Sequence, residues 1–249
     1  MLVLALDTTT RQGSIALARD GALLATYAGD AETTHGERLP GDVWRLLDAH
    51  TLRVADVDVF AVAAGPGSFT GLRIGIATMQ GLALANARSL VGVSALDALN
   101  EAVRAVGSGP SAPAPDADVA TWMDAQRGQV FSAVYGNGAP VELPIVETPA
   151  EILSRWQREG RRPPVFAGDG ALSYREMIGR AHPGARIIEP VPALAPAIAR
   201  LAVAHIRQHG PVSPDAIRPI YIRRSDAELA RDRRGAPSAP IPPALERTP

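Results

Sequence analysis

Apolar and polar positions along the chain switch between two periods. Residues 2–6 (LVLAL), 14–18 (SIALA) and 23–27 (LLATY) are short apolar runs, the length of strands rather than helices. Asp20-Gly21 supplies a hairpin turn between the second and third, so the three predict an antiparallel meander. Leu39, Val43, Leu46 and Leu47 then fall at i, i+4, i+7 and i+8, one face of an amphipathic helix. Pro40 fits that helix only in its first turn. Residues 57–64 are almost wholly apolar, the pattern of a buried central strand. The helical stretch 72–87 carries no charge between Arg73 and Arg88, and a helix apolar all round is buried on more than one side. Gly75, Ala77, Gly81, Ala83 and Ala85 keep it thin. A strand at 91–93 and a helix at 95–106 complete this half.

A second set follows. Residues 107–115 (GSGPSAPAP) have the composition of a flexible linker and mark the domain boundary. Strands at 119–124 and 130–135 flank a turn at Arg127-Gly128. Thr148 caps a helix that opens on Pro149 and runs to about Glu159. A strand at 165–167 ends in Gly168-Asp169-Gly170, and helical patterns cover 173–181 and 193–209. The tail from 236 is rich in Pro, Ala and Ser and predicts disorder. Strand, Asp, turn and strand occur at Asp7 and again at Asp124, a weak internal duplication.

Composition narrows the chemistry. The chain has 249 residues, 46% hydrophobic and 20% charged, with a net charge of −1. That suits a soluble globular protein of one large or two small domains, with no global basic field to grip nucleic acid. There is no cysteine, which excludes disulfides, zinc thiolate sites and a thiol nucleophile. All 25 basic residues are arginine, which excludes a Walker-type phosphate lysine, a Schiff-base lysine and a lysine general base. No apolar window is long enough to cross a membrane. The start lacks a basic n-region, so a cytoplasmic protein is expected.

Four motifs are candidates for function. Asp7-Thr8-Thr9-Thr10 follows the first strand, where a carboxylate could order a metal-bound water while hydroxyls and amides meet phosphate. Equally, Asp7 and Thr8 could simply cap a turn. The matching second position, Asp124, is followed by Ala125-Gln126-Arg127-Gly128 and lacks paired small glycines. The loop at 65–75, GPGSFTGLRIG, has neither the lysine of a phosphate loop nor the spacing of a dinucleotide fingerprint. A helix N-terminus there would attract an anion, but a tight strand-to-helix turn with close backbone packing fits better. His205 and His209 have metal-ligand spacing with Arg207 between them and no HExxH glutamate, which favours a solvated helix end. Arg218, Arg223, Arg224, Arg231, Arg233 and Arg234 cluster late, diluted by Asp226, Glu228 and Asp232, again the pattern of a solvated face, with at most a modest phosphate contact.

LALDTTT, SIAL, AAGPGSFTGLRIGIATMQGLALA, GVSALDAL, MDAQRGQVF, FAGDG and RPIYIRR, in that order, resemble the TsaB (YeaZ) family of the tRNA threonylcarbamoyladenosine machinery. The resemblance spans residue 4 to about 224. It implies an α/β ASKHA fold (actin/Hsp70/sugar-kinase-like, RNase H-like) of two related mixed-sheet domains. These are an N-terminal domain at 1–106 carrying the docking helices, a linker at 107–117, a C-terminal domain at 118–224 whose last helix is a candidate for packing back on the first, and a tail at 225–249. It implies a scaffold with no catalytic residue, no metal ligand and no cofactor of its own, ATP and a metal ion belonging to partner subunits. The partners implied are TsaD, as a heterodimer, and TsaE, with a homodimer when alone, tRNA met through the complex, and no membrane. The adenosine modified would lie next to the anticodon in tRNAs reading codons that begin with A.

The docking helices would be 35–50 and 72–87, and His35, Leu39, Val43, Trp44, Leu47, Gly71, Leu72, Gly75, Ile76 and Met79 the interface, with Gly71 and Gly75 admitting a neighbouring helix. Asp7, Thr8, Thr9, Asp124, Gly168 and Gly170 would be a vestigial nucleotide site. The alternative function is a small-molecule kinase or ATPase on the same fold. A metallopeptidase fits less well, because the ligands are lacking.

Overall fold

Two five-stranded mixed sheets repeat one plan. The computed structural model describes residues 1–105 and 113–223. The expected linker at 107–112, the tail at 225–249, and Arg224, Arg231, Arg233 and Arg234 lie outside the described residues. In the first sheet, β1 (Leu2–Asp7), β2 (Ser14–Arg19) and β3 (Ala22–Ala28) form an antiparallel meander, and β4 (Val59–Gly65) and β5 (Ser89–Ser94) join parallel in the order β3-β2-β1-β4-β5. The second repeats this with β6 (Val119–Asp124), β7 (Val130–Gly136), β8 (Ala139–Glu147), β9 (Val165–Ala167) and β10 (Arg186–Ile187), in the order β10-β9-β6-β7-β8. Three antiparallel strands followed by parallel crossovers, twice over, is the duplicated ASKHA plan.

Strand alternation divides the core into layers. Leu2, Leu4 and Leu6 of β1 and Phe60 and Val62 of β4 face outward under two helices, α1 (His35–Asp48) and α2 (Phe69–Ala85). Val3, Ala5, Ala61 and Ala63 face inward, where small side chains let helices lie close. The inward face of the second sheet offers Val119, Met123, Phe131 and Ala133 to the same layer. Helices α3 (Ala95–Ala105) and α7 (Ala195–His209) fill it. On the far side of the second sheet, Trp122, Phe166 and Trp156 pack under α4 (Pro149–Glu159), α5 (Asp169–Ser173) and α6 (Arg175–Ala181).

The last helix packs on the first sheet, not the second. The Ala195 amide donates to Ser14 Oγ at 3.0 Å, and Arg200 pairs with Glu101 of α3 at 2.8 Å. The strand of chain after α7 then runs back along the first domain. Gln80 Nε2 donates to the carbonyls of Pro214 and Ile217 at 2.9 and 3.1 Å, and the Ile220 amide donates to Ala64 O at 2.7 Å.

Local chemistry moves one boundary from its expected place. Pro40 is not in the first turn of α1. The helix begins five residues earlier, because Thr34 and Glu37 form a capping box there, the Thr34 amide and hydroxyl donating to Glu37 Oε2 at 3.2 and 2.6 Å. Pro40 and Gly36 one turn before it are both exposed, so water can reach the carbonyl that the missing N–H leaves unbonded.

Candidate functional site

The two domains flank a cleft of about 1140 Å³. Its walls come from the turn after β1 (Thr9, Thr10, Arg11), the loop before α1, the glycine loop 66–72, the β6–β7 turn (Asp124 to Arg127), Asp169 and the C-terminal segment 220–223. The C-terminal ends of β1, β4 and β6 meet there, where open α/β sheets place ligands.

Asp7, the carboxylate that should anchor a phosphate site, is closed off. It is buried, and its Oδ1 accepts from the Thr9 amide at 2.8 Å and the Thr9 hydroxyl at 2.5 Å. Oδ2 accepts from Thr10 Oγ1 at 3.0 Å. Burial pushes its pKa up, while the bonds from Thr9 and Thr10 pull it down. Asp7 does not reach the cleft wall. Of the two roles open to it from sequence, the geometry realises the turn cap.

The glycine loop is what covers it. A Cβ on Gly67 would lie 2.4 Å from Thr9 Cβ, one on Gly71 would lie 2.0 Å from Thr8 O, and one on Gly75 would lie 2.1 Å from Thr8 Oγ1. Thr8 Oγ1 in turn donates to Gly71 O at 2.8 Å, and the Ser68 amide donates to Thr9 O at 3.0 Å. Gly65, at φ +121°, packs on the backbone of Ile220, with a Cβ there only 2.5 Å from Ile220 O. Each glycine of the motif therefore serves an approach within the chain. Gly71 and Gly75 seat α2 on the end of β1; they do not open it to a neighbouring helix.

The second loop is also self-contained. Asp124 Oδ1 accepts from the Gln126 amide at 2.8 Å and Oδ2 from Gln126 Nε2 at 2.7 Å. Gly168 and Gly170 face β6 and β7: a Cβ on Gly168 would lie 2.1 Å from Trp122 O, and one on Gly170 would lie 2.9 Å from Val130 Cγ1. Neither lines the cleft. Asp169 between them does, its Oδ1 accepting from the amides of Asp124 and Gly170 at 3.0 and 2.9 Å, with its pKa raised by burial. The turn repeat around Asp124 pointed to this corner, but only the fold brings Asp169 to it.

His35 joins a network that sequence reasoning missed. Its Nε2 lies 3.0 Å from Thr10 O, a carbonyl that can only accept, so Nε2 carries the proton. Nδ1 then accepts from Arg38 Nη2 at 2.8 Å. Burial, then the Arg38 charge, lowers the His35 pKa, which keeps this neutral tautomer. Arg38 is itself buried against Asp42 at 2.6 Å and donates to Gln12 O at 2.5 Å. Gly29 and Gly13 leave room for its guanidinium. The visible trace in sequence is Arg38 and Asp42 four apart, flanking the apolar face of α1.

The expected interface divides sharply. Leu39, Val43, Leu47, Gly71, Leu72, Gly75, Ile76 and Met79 are buried in the chain's own core, because these positions are the stripes that seat α1 and α2 on the sheet. His35 is half-buried in the network above. Trp44 alone among them is fully outward, 65% exposed. The free face of α2 lies elsewhere, at Arg73, Ala77, Gly81 and Leu84, the last 58% exposed. A Cβ on Gly81 would meet nothing within 4 Å. An uncharged stripe of Ala, Gly and Leu on a helix is an incompletely buried surface, and Trp44 of α1 is a second exposed apolar group.

Among the described residues no group of three His, Asp or Glu is placed to hold a metal ion. His205 and His209 stack at 4.8 Å near the exposed end of α7. No described helix is long and apolar enough to cross a membrane.

Comparison with known proteins follows the same lines. Residues 28–153 match the model of the family described as TsaD: tRNA N6-adenosine threonylcarbamoyltransferase. The tRNA threonylcarbamoyladenosine biosynthesis protein TsaB of Bacillus subtilis is 29% identical over 181 residues, 72% of this chain and 75% of that protein. The Escherichia coli protein of the same name is 35% identical over 136 residues, 54% of this chain and 55% of its own length. The structure of YeaZ from Pseudomonas aeruginosa superposes with a TM-score of 0.71 at 28% identity, covering 88% of this chain and 99% of that one.

Proposed function

We propose that this chain, which belongs to the TsaD (tRNA N6-adenosine threonylcarbamoyltransferase) family and within it to the TsaB (YeaZ) group, works in tRNA threonylcarbamoyladenosine biosynthesis as a scaffold subunit. It catalyses no step alone. It pairs with a TsaD-type transferase, and an ATPase of the TsaE type joins them. ATP and metal chemistry belong to those partners. Without them, two copies of this chain pair through the same face.

One observation carries the reading: α2 presents Ala77, Gly81 and Leu84 to solvent with no charge between Arg73 and its C-terminus. Small residues let helix backbones come close, and the exposed Trp44 of α1 is the kind of side chain that anchors an interface. The closed Asp7 turn supports the non-catalytic half of the proposal, since its carboxylate is buried, accepts three hydrogen bonds from Thr9 and Thr10 and does not line the cleft.

The test is co-expression with a TsaD-type partner. Wild type is expected to co-purify with it. Ala77→Glu places a charge on the free face and is expected to abolish pairing while leaving the melting temperature unchanged. Retained pairing by that variant would remove the proposed surface. A kinase on the same fold predicts instead that calorimetry with ATP and magnesium shows tight binding, followed by turnover on a substrate panel.

A further inference from the structure

The segment that follows α7 brings Tyr221 onto Phe69 and Arg73 at the mouth of the cleft. The Arg73 guanidinium lies 4.1 Å from the centre of the Phe69 ring. Phe69 stacks on Tyr221 with centroids 5.1 Å apart and planes 27° from parallel. Arg73 Nε reaches the Tyr221 hydroxyl at 3.3 Å. Phe69 and Tyr221 both line the cleft, and Tyr221 is 38% exposed. An aromatic ring covered on one side and open on the other is a platform for another planar group.

The cleft around this platform carries arginines and acids together, Arg11, Arg127 and Arg223 with Glu32, Asp124 and Asp169. Arg11 donates to Ala31 O at 3.3 Å and Arg223 to Gln129 Oε1 at 3.2 Å, both neutral acceptors, and both side chains line the cleft. Arg73 meets a hydroxyl and a π-face. Some arginines elsewhere sit on carboxylates, as at Arg38–Asp42, Arg155–Glu142 and Arg200–Glu101, while others, such as Arg104, donate to neutral groups. The carboxylates of the cleft are already engaged at Asp124 and Asp169; Glu32 on the opposite lip is the remaining acid there. Arg11 and Arg223, with no acid partner among the described residues, beside an exposed aromatic ring fit a ligand that is planar and anionic by turns. A nucleic-acid strand is such a ligand.

We propose that the cleft mouth binds single-stranded RNA, with one base stacked on Tyr221 and flanking phosphates met by Arg11 and Arg223. The choice of RNA rests on the proposed function; the platform and its charges do not. Asp7 lies outside the cleft lining, and Asp124, which lines the same cleft, is closed in its own turn.

The experiment uses the full chain and a fluorescein-labelled anticodon stem-loop RNA, read by anisotropy over a salt series. Tyr221→Leu is expected to weaken binding roughly tenfold, the loss of one base stack, while Tyr221→Phe keeps wild-type affinity. The double variant Arg11→Ala/Arg223→Ala is expected to lower the slope of log affinity against log salt by about 1.4, two single-strand phosphate contacts. Co-purification with the TsaD-type partner is measured on the same proteins and is expected to stay intact. No RNA binding by wild type, or unchanged binding and salt slope in these variants, overturns the proposal and leaves the scaffold reading standing. Tyr221-dependent binding of free AMP with none of RNA overturns it too. Should Tyr221→Leu melt early, the arginine double variant, on side chains facing solvent and neutral groups, decides alone.

Discussion

The same substitution at two glycines of α2 should move stability in opposite directions. Gly81 is interior to α2 and Gly71 lies in its first turn, so replacing either with Ala gains helix propensity, at most about 1 kcal/mol. At Gly81 nothing lies within 4 Å of the new methyl, and the gain stands. At Gly71 the methyl would sit 2.0 Å from Thr8 O, where real contacts are essentially never under 3.0 Å. The helix must lift about 1 Å from β1, an overpacking strain of about 1–3 kcal/mol. The Thr8 Oγ1 to Gly71 O bond is strained with it, at about 1 kcal/mol. The balance is a destabilisation of about 1–3 kcal/mol at Gly71 and a stabilisation of about 0.5–1 kcal/mol at Gly81. In a chain of this size each kcal/mol is worth about 2–4 °C. Thermal and urea unfolding of the two variants should therefore bracket wild type, Gly71→Ala several degrees below and Gly81→Ala a degree or more above. Equal or inverted stabilities would refute the reading of the glycine motif as an internal clamp.

Other consequences are simpler to state. His182 is buried among Trp156 and Phe166 with both ring nitrogens unbonded, and burial, then Arg162, lowers its pKa. The unfolded chain then binds the proton more readily, so stability should fall as pH drops below about 6.5. His35 and His205 act in the same direction, so the measurement is the difference between wild type and His182→Leu, whose stability should decline less steeply between about pH 6.5 and 5; parallel curves would contradict the assignment. Arg38→Met removes one partner from a buried ion pair and should cost about 3–5 kcal/mol, reduced because Arg45 still holds Asp42 at 2.5 Å; a loss under about 0.5 kcal/mol in urea unfolding would show that the network is not structural.

Much of the fold was legible because its strands are short apolar runs with clear turns. Asp20-Gly21 marked the β2–β3 hairpin, and Thr148-Pro149 marked the start of α4. Strand β8 was not legible: it is an edge strand with Pro140 and Pro144 and mixed exposure, so neither period dominates. β10 pairs only Arg186 and Ile187, too little for any pattern. For the proposed interface, the sequence singled out α1 and α2, but most of the residues it named lie on their buried faces. An apolar stripe such as Leu39, Val43 and Leu47 names the face that is buried, and nothing in a one-dimensional pattern says by what. The free face of α2 is recognisable only once β1 and β4 are seen to take Leu72, Ile76 and Met79, leaving Ala77 and Gly81 uncovered. The arginine and tyrosine at the cleft mouth were illegible for a related reason, since Phe69 and Tyr221 are brought together only by the return of the chain after α7.

The most direct test of the central claim is a reconstituted threonylcarbamoyl transfer to tRNA with purified TsaD-type and TsaE-type partners, with and without this chain. The account predicts no modified adenosine from this chain alone, full modification when all three are mixed, and failure when Ala77→Glu replaces wild type. Modification by the partners at the same rate in its absence, or undiminished modification with Ala77→Glu, would contradict it.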